Sequence, residues 1–302
     1  MGKLRIVYMG TPDFAVEGLK ALVEHGENIV AVITMPDKPA GRGHQMQFSP
    51  VKQYALSQGL DILQPVNLKD SEFIEQLRSY KADLQIVTAF RMLPEVVWSM
   101  PRLGTFNVHA SLLPQYRGAA PINWAIINGE TKTGLTTFML KHDIDTGNII
   151  LQEETPIAPD ENVGQLHDRL MAMSREMVLR TLALIEQCDT EGRELPTTPQ
   201  IDAAELKPAP KIFKDTCQID FTLTANQINN FVRGLNPYPT AWANITIGGC
   251  MYENVKVYAV KQGEGAITMD CGDGKISIEE LQLPGKKRMD AKSLLNGLRI
   301  NR

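Results

Sequence analysis

Four short apolar runs, Leu4–Met9, Ile29–Ile33, Leu84–Ala89 and Thr105–Val108, are separated by segments of helical periodicity. This alternation limits the first half of the chain to few folds. Each run is too continuous to have one wet face, so each reads as a strand covered on both sides. Helices are predicted over Phe14–His25 (with Asp13 as its cap), Val51–Gln58, Ser71–Tyr80 and Pro121–Asn128. Strand–helix alternation of this kind predicts an α/β domain with a doubly wound, mostly parallel, Rossmann-like sheet. The first turn, Gly10-Thr11-Pro12-Asp13-Phe14-Ala15, lacks the Gly-x-Gly-x-x-Gly pattern, which argues against a dinucleotide site.

In such sheets ligands bind beyond the carboxyl ends of the strands. The run at Thr105 carries two polar residues at that end, Asn107 and His109. Residues two apart in a strand share a face, so the amide and the imidazole project together. An amide that can donate to an oxyanion beside an imidazole that can move a proton suits acyl transfer. After the apolar run Leu135–Leu140, the polar turn Lys141–Gly147 offers a carboxylate, Asp145, that could lie beside His109 and favour its charged form. Ser111 lacks a nucleophile-elbow pattern.

A long helix is predicted over Gly164–Gln187, its methionine and leucine stripe being core. A polar, Pro-containing linker, 190–208, is expected to make few contacts. Beyond it, the texture changes. A helix over Ala225–Gly234 is followed by strand-like runs at Ala241–Ile247, Val255–Gln262, Ala266–Asp270 and Lys275–Leu283. Glycine pairs between them suggest a small barrel. The expected organisation is a catalytic domain at 1–189, the linker, and a barrel domain at 209–302.

The net charge of −4 conceals an asymmetry: Lys207 to Arg302 holds 13 Lys/Arg against 9 Asp/Glu, a net of +4. A basic C-terminal part is compatible with a polyanionic partner. The four cysteines lie far apart, which suggests neither zinc nor a disulfide framework. No apolar run has the length of a membrane span, and no signal peptide is evident. A cytoplasmic monomer is expected.

Asn107-Val108-His109 followed by Ser111-Leu112-Leu113-Pro114, by Tyr116-Arg117-Gly118 and later by Asp145-Thr146-Gly147 resembles the folate-dependent formyltransferases. The resemblance runs from about residue 3 to the end. It includes the opening Tyr8–Ala15, the loop Pro36–Gly43 and the segment Arg233–Trp242. The latter two are similar to the branch whose acceptor is methionyl initiator tRNA. The resemblance implies 10-formyltetrahydrofolate as co-substrate, no metal, and formylation of the methionyl α-amine for translation initiation. By position it assigns catalysis to Asn107, His109 and Asp145, and the folate pocket to Leu113, Pro114, Gln115 and Tyr116. It assigns tRNA contact to Arg42 and Lys38 on a flexible basic loop that also carries His44 and Lys52. It further implies an OB-like form for the C-terminal barrel. Two positions depart from the family pattern: Arg91 stands in a segment where an aromatic-Gly pair is common, and Asp143 where a Gly usually precedes Asp145.

Overall fold

The computed structural model describes residues 2–40, 45–201 and 205–298. The chain opens with strand β1 (Ile6–Gly10), helix α1 (Asp13–Glu24) and β2 (Ile29–Ile33). A separate antiparallel ribbon follows, β3 (Lys38–Ala40) with β4 (Gln45–Gln47). Next come α2 (Pro50–Ser57), β5 (Ile62–Leu63), α3 (Ser71–Ser79), β6 (Leu84–Thr88), α4 (Glu95–Trp98) and β7 (Thr105–His109). They are followed by α5 (Pro121–Ile127), β8 (Lys132–Met139), β9 (Ile149–Pro156) and α6 (Val163–Glu191). The sheet order is β5-β2-β1-β6-β7-β8-β9. Pairing is parallel from β5 through β7, and β8 runs antiparallel to β7.

Alternation along β1 shows why the sheet is doubly wound. Ile6 and Tyr8 enter a core with Leu19 and Leu22 of α1 and Val178, Leu182 and Ile185 of α6. Val7 and Met9 enter a second core with Phe73 and Leu77 of α3 and Val97 of α4. Helices thus cover both faces, and β1 and β6 are buried along their whole length. Phe106 and Val108 of β7 belong to the first core, so Asn107 and His109 face the other way. A Cβ on Gly10 would come within 2.5 Å of the Ala15 Cβ, so the turn out of β1 needs glycine to let α1 start so close.

Asp13 is not the cap of α1. Pro12 holds that position, and the Asp13 carboxylate accepts from the Phe14 N–H at 2.9 Å. The long helix α6 runs past the expected linker boundary to Glu191. The Arg102 guanidinium explains this by gripping both oxygens of Asp189 at 2.6 and 2.9 Å and donating to Asp83 at 2.7 Å.

The compact units are interleaved in sequence. One holds 1–117, 134–154 and 168–207; the other holds 118–133, 155–167 and 208–302. In the second, α7 (Ala225–Leu235) starts with a capping box between Thr224 and Gln227. Then come β10 (Ala241–Ile247), β11 (Cys250–Gln262), β12 (Thr268–Cys271), β13 (Gly274–Gln282), β14 (Met289–Asp290) and α8 (Ala291–Gly297). The antiparallel sheet β10-β11-β13-β12, with β14 on β13, is the curled OB-like element. Bulges in β10 and β11 supply extra twist. Gly248 and Gly249, both at positive φ, close the two-residue hairpin between Ile247 and Cys250. Ile228, Val232, Ile245, Val257, Ile278 and Leu294 form its core.

The Arg102 guanidinium holds the Asp189 carboxyl below the usual carboxylate range. A depressed carboxylate stabilises the folded state above its unfolded pKa, and the contribution disappears as pH falls through the folded value. Arg102→Ala should therefore lower the thermal midpoint at pH 7. The gap to the parent should close as pH falls below about 3.9, followed by circular dichroism melts.

Candidate active site

The polar end of β7 is set by its neighbours. Asn107 lies in register with Val87 of β6 and Phe138 of β8, and His109 with Thr136 of β8. His109 is 6% exposed. Its Nε2 donates to the Tyr116 carbonyl at 2.9 Å, and its Nδ1 lies 3.8 Å from Asp145 Oδ2, an ion-pair distance rather than a hydrogen bond. Each ring nitrogen therefore faces an oxygen acceptor. The Phe138 ring packs edge-to-face against the imidazole, centroids 6.4 Å apart. Asn107 Oδ1 is buried and has no hydrogen-bond partner among the described residues. Leaving such an acceptor unsatisfied costs about 1–3 kcal/mol, so the site holds hydrogen-bonding capacity in reserve for a ligand donor.

Both acceptors that face His109 sit on strained backbone. Tyr116 has φ +60° and Asp145 has φ +54°. A non-glycine residue in the left-handed region costs about 1–3 kcal/mol and persists only where its surroundings over-determine it. Around Tyr116 they do. Thr136 Oγ1 donates to the Ser111 carbonyl at 2.7 Å and accepts from Leu113 N–H at 3.2 Å. Gln152 donates to the Leu113 carbonyl at 3.0 Å. Tyr116 N–H donates to Lys207 O at 2.7 Å, and the Gln115 amide accepts from Lys207 N–H and donates to Glu205 O. Leu113 and Tyr116 are buried, whereas Pro114 and Gln115 are half-buried. Ser111 is fully buried, its hydroxyl donating to Gln115 O at 2.7 Å.

The Asp145 turn is held from the linker. Gln200 Nε2 donates to the carbonyls of Asp145 and Gly147, both at 2.8 Å, while Arg117 donates to Gln200 Oε1 from Nε at 3.0 Å and from Nη2 at 2.8 Å. Thr198 exchanges two backbone bonds of 2.8 Å with Ile149 of β9. The linker is therefore not a loose tether, because Thr198, Gln200, Glu205 and Lys207 all bind the catalytic unit. Sequence reasoning missed Gln200 and Thr136, and it took Arg117 only as part of the Tyr116-Arg117-Gly118 motif; a glutamine in a polar stretch carries no pattern that sets it apart.

The two departures resolve differently. Asp143 is exposed and pairs only loosely with His142, 3.3 Å away, out in solvent. Arg91 turns its guanidinium onto the Val66 carbonyl at 2.8 Å and onto the Pro65 carbonyl. It lines a cavity of about 950 Å³ with Val66, Leu68, Leu93, Trp98 and His142.

Of the expected tRNA residues, Arg42 lies outside the described residues, as does His44; Lys38 opens β3. Within the segment 36–52, Lys38–Ala40 and Gln45–Gln47 pair as an antiparallel ribbon, and Pro50 opens α2. Lys52 is not one of its free cations: it is 13% exposed, pairs with Asp37 and donates to Gln64 Oε1 at 2.7 Å. The lysine in turn holds the Asp37 carboxyl below its usual range.

Residues 4–182 match the Formyl transferase family and residues 211–299 match Formyl transferase, C-terminal domain. The chain is 55% identical over 313 residues to a methionyl-tRNA formyltransferase of Bacteroides thetaiotaomicron, which spans 99% of this chain and 97% of the relative. The chain belongs to the methionyl-tRNA formyltransferase family. Its fold is shared with an N-formyltransferase from Helicobacter canadensis solved with folinic acid and dTDP-3-aminofucose, at 18% identity over 91% of this chain and 98% of that one, TM-score 0.65. It is shared too with HypX from Aquifex aeolicus solved with tetrahydrofolic acid, at 17% identity over 97% of this chain and 47% of that one, TM-score 0.63. At these identities the likeness is one of fold alone.

Gly147 tests the turn as a formyltransferase element. A Cβ there would fall 1.6 Å from the Met139 carbonyl oxygen, so Gly147→Ala must displace the turn that carries Asp145. Turnover should drop by about 100-fold, the size of effect expected for a misplacement of about 1 Å, and the overlap should lower the thermal midpoint as overpacking by about 1–3 kcal/mol does. Steady-state kinetics beside a melting curve would check both.

Proposed function

We propose that this protein transfers the formyl group of 10-formyltetrahydrofolate to the α-amino group of methionyl initiator tRNA. The observation that carries the reading is the convergence of Asn107, His109 and Asp145 at one strand end, in a chain aligned end to end with a relative named methionyl-tRNA formyltransferase.

A free α-amine has a pKa of roughly 7.7–8.0, and esterification of the carboxyl lowers it. Much of the acceptor amine is therefore neutral near pH 7, and no strong base is required. Asn107 binds at the reacting carbon. Its Oδ1 accepts from the incoming amine N–H, and its Nδ2 donates to the formyl oxygen as negative charge grows there. One such donor contributes about 2.7–4 kcal/mol to barrier lowering. As the bond from the amine to the formyl carbon forms and the bond from that carbon to N10 breaks, His109 takes the amine proton at Nδ1, beside Asp145, and returns it to N10, so that tetrahydrofolate leaves neutral; Nε2 stays on the Tyr116 carbonyl. The backbone and side chains of Leu113, Pro114, Gln115 and Tyr116 flank the folate. Lys38, which opens β3, and Arg42 contact the acceptor stem, and the net +4 segment from Lys207 onward supplies further attraction for the polyanion.

Asn107→Ala, His109→Ala and Asp145→Ala should each reduce kcat severely, with effects that do not add because the three act as one unit. Formyl transfer measured with charged initiator tRNA, and in parallel with small amines, identifies the acceptor. Transfer to a small amine with none to tRNA would overturn the reading. Arg42→Ala should raise the Kd for tRNA and reduce the slope of log Kd against log salt by about one. Unchanged folate affinity, measured by fluorescence titration, completes that expectation.

A further inference from the structure

We propose that Gln200, in the linker, is the positioning residue for Asp145, and that it does so by donating to the two carbonyls of the Asp145 turn. The proposal rests on the reading of Asp145 as a catalytic group.

The contacts form a closed circuit around His109. The imidazole Nε2 donates to Tyr116 O. The next residue along, Arg117, directs two guanidinium N–H groups onto Gln200 Oε1. That fixes which end of the Gln200 amide is oxygen, because arginine can only donate. The opposite end must then be the NH₂, and it donates to Asp145 O and Gly147 O, both 2.8 Å away. Asp145 closes the circuit by facing His109 Nδ1 at 3.8 Å. Gln200 is the one member drawn from outside the two catalytic loops. It is itself fixed two residues earlier, where Thr198 pairs with Ile149 in both directions.

The two bonds from one amide bracket Thr146. They hold the backbone at Asp145 in its left-handed conformation, which is unfavourable for a residue with a side chain, though less so for aspartate than for most. Without them the turn is free to relax, and the carboxylate leaves its place beside the imidazole. The Gln200 amide is taken up by Arg117, Asp145 and Gly147, so its loss should fall on the chemical step rather than on substrate binding.

The amide offers a sharp test, since its two ends do different things. Gln200→Glu keeps an oxygen for Arg117 and gains a charge attraction to it, but presents an acceptor to two carbonyls that need a donor. Gln200→Met keeps the shape and removes both functions. Both variants should bind 10-formyltetrahydrofolate normally and melt within a few degrees of the parent. Both should lose kcat by about 100-fold, as a misplaced catalytic group does, with KM for each substrate little changed. In an Asp145→Asn background, neither should cause a further loss, because residues acting as a unit are non-additive. Turnover of Gln200→Glu within twofold of the parent overturns the proposal, as does a loss that simply multiplies with that of Asp145→Asn. Near-normal turnover of Asp145→Asn alone removes the catalytic reading of that carboxylate, and the positioning role with it. A variant that fails to bind folate or to melt cooperatively assigns Gln200 to folding instead and also overturns the proposal.

Discussion

A buried imidazole between two oxygen acceptors is the constraint on which the rest of this structure turns. His109 is removed from water, so its Nε2–H needs an acceptor within the protein, and a proton gained at Nδ1 needs a negative charge beside it. The chain meets this with a backbone carbonyl on one side and a carboxylate on the other. Both are carried by residues in the left-handed region, Tyr116 and Asp145. The hydrogen bonds that compensate this strain come from β8, β9 and the linker.

The sheet explains why the site can be so tightly specified. Phe106 and Val108 anchor β7 in the core shared by α1 and α6, so their neighbours Asn107 and His109 cannot slip in register without exposing that core. The antiparallel turn of the sheet at β8 then brings Thr136 opposite His109, where its hydroxyl organises the 111–113 backbone. Catalytic groups on a strand end are placed by the whole hydrophobic core, whereas Asp145, on a turn, depends on local polar bonds.

The same division explains what could be read from the chain alone. Ile29–Ile33 and Ala241–Ile247 appear as strands with the expected bounds, and the Ser71 helix ends one residue early, because apolar periodicity records burial directly. Asn107 and His109 were legible because they interrupt such a pattern. The strands β5 and β14, of two residues each, and the four-residue α4 are too short to show a period. β9 is mostly polar at a sheet edge, and it was missed, as was α8. Lys52 was counted with the exposed cations, since a charge count cannot register that Asp37 and Gln64 fold back upon it. Gln200 escaped for a related reason: its bonds span more than fifty residues of sequence and leave no mark on its neighbours.

The bonds that Thr198, Gln200, Glu205 and Lys207 make to the catalytic loops also bear on how this protein could be divided. A polar, proline-containing stretch invites a cut, and a protease or a protein engineer would choose it for that reason. Here the stretch acts as a strap across the catalytic loops. A fragment ending at the close of α6 would keep Asn107, His109, Tyr116 and Asp145 yet lose the bonds that hold Tyr116 and the Asp145 turn in place. A cut at Lys207 would keep these bonds but would separate 118–133 and 155–167 from the rest of their compact unit, and a chimera joined upstream of that point would lose the alignment as well.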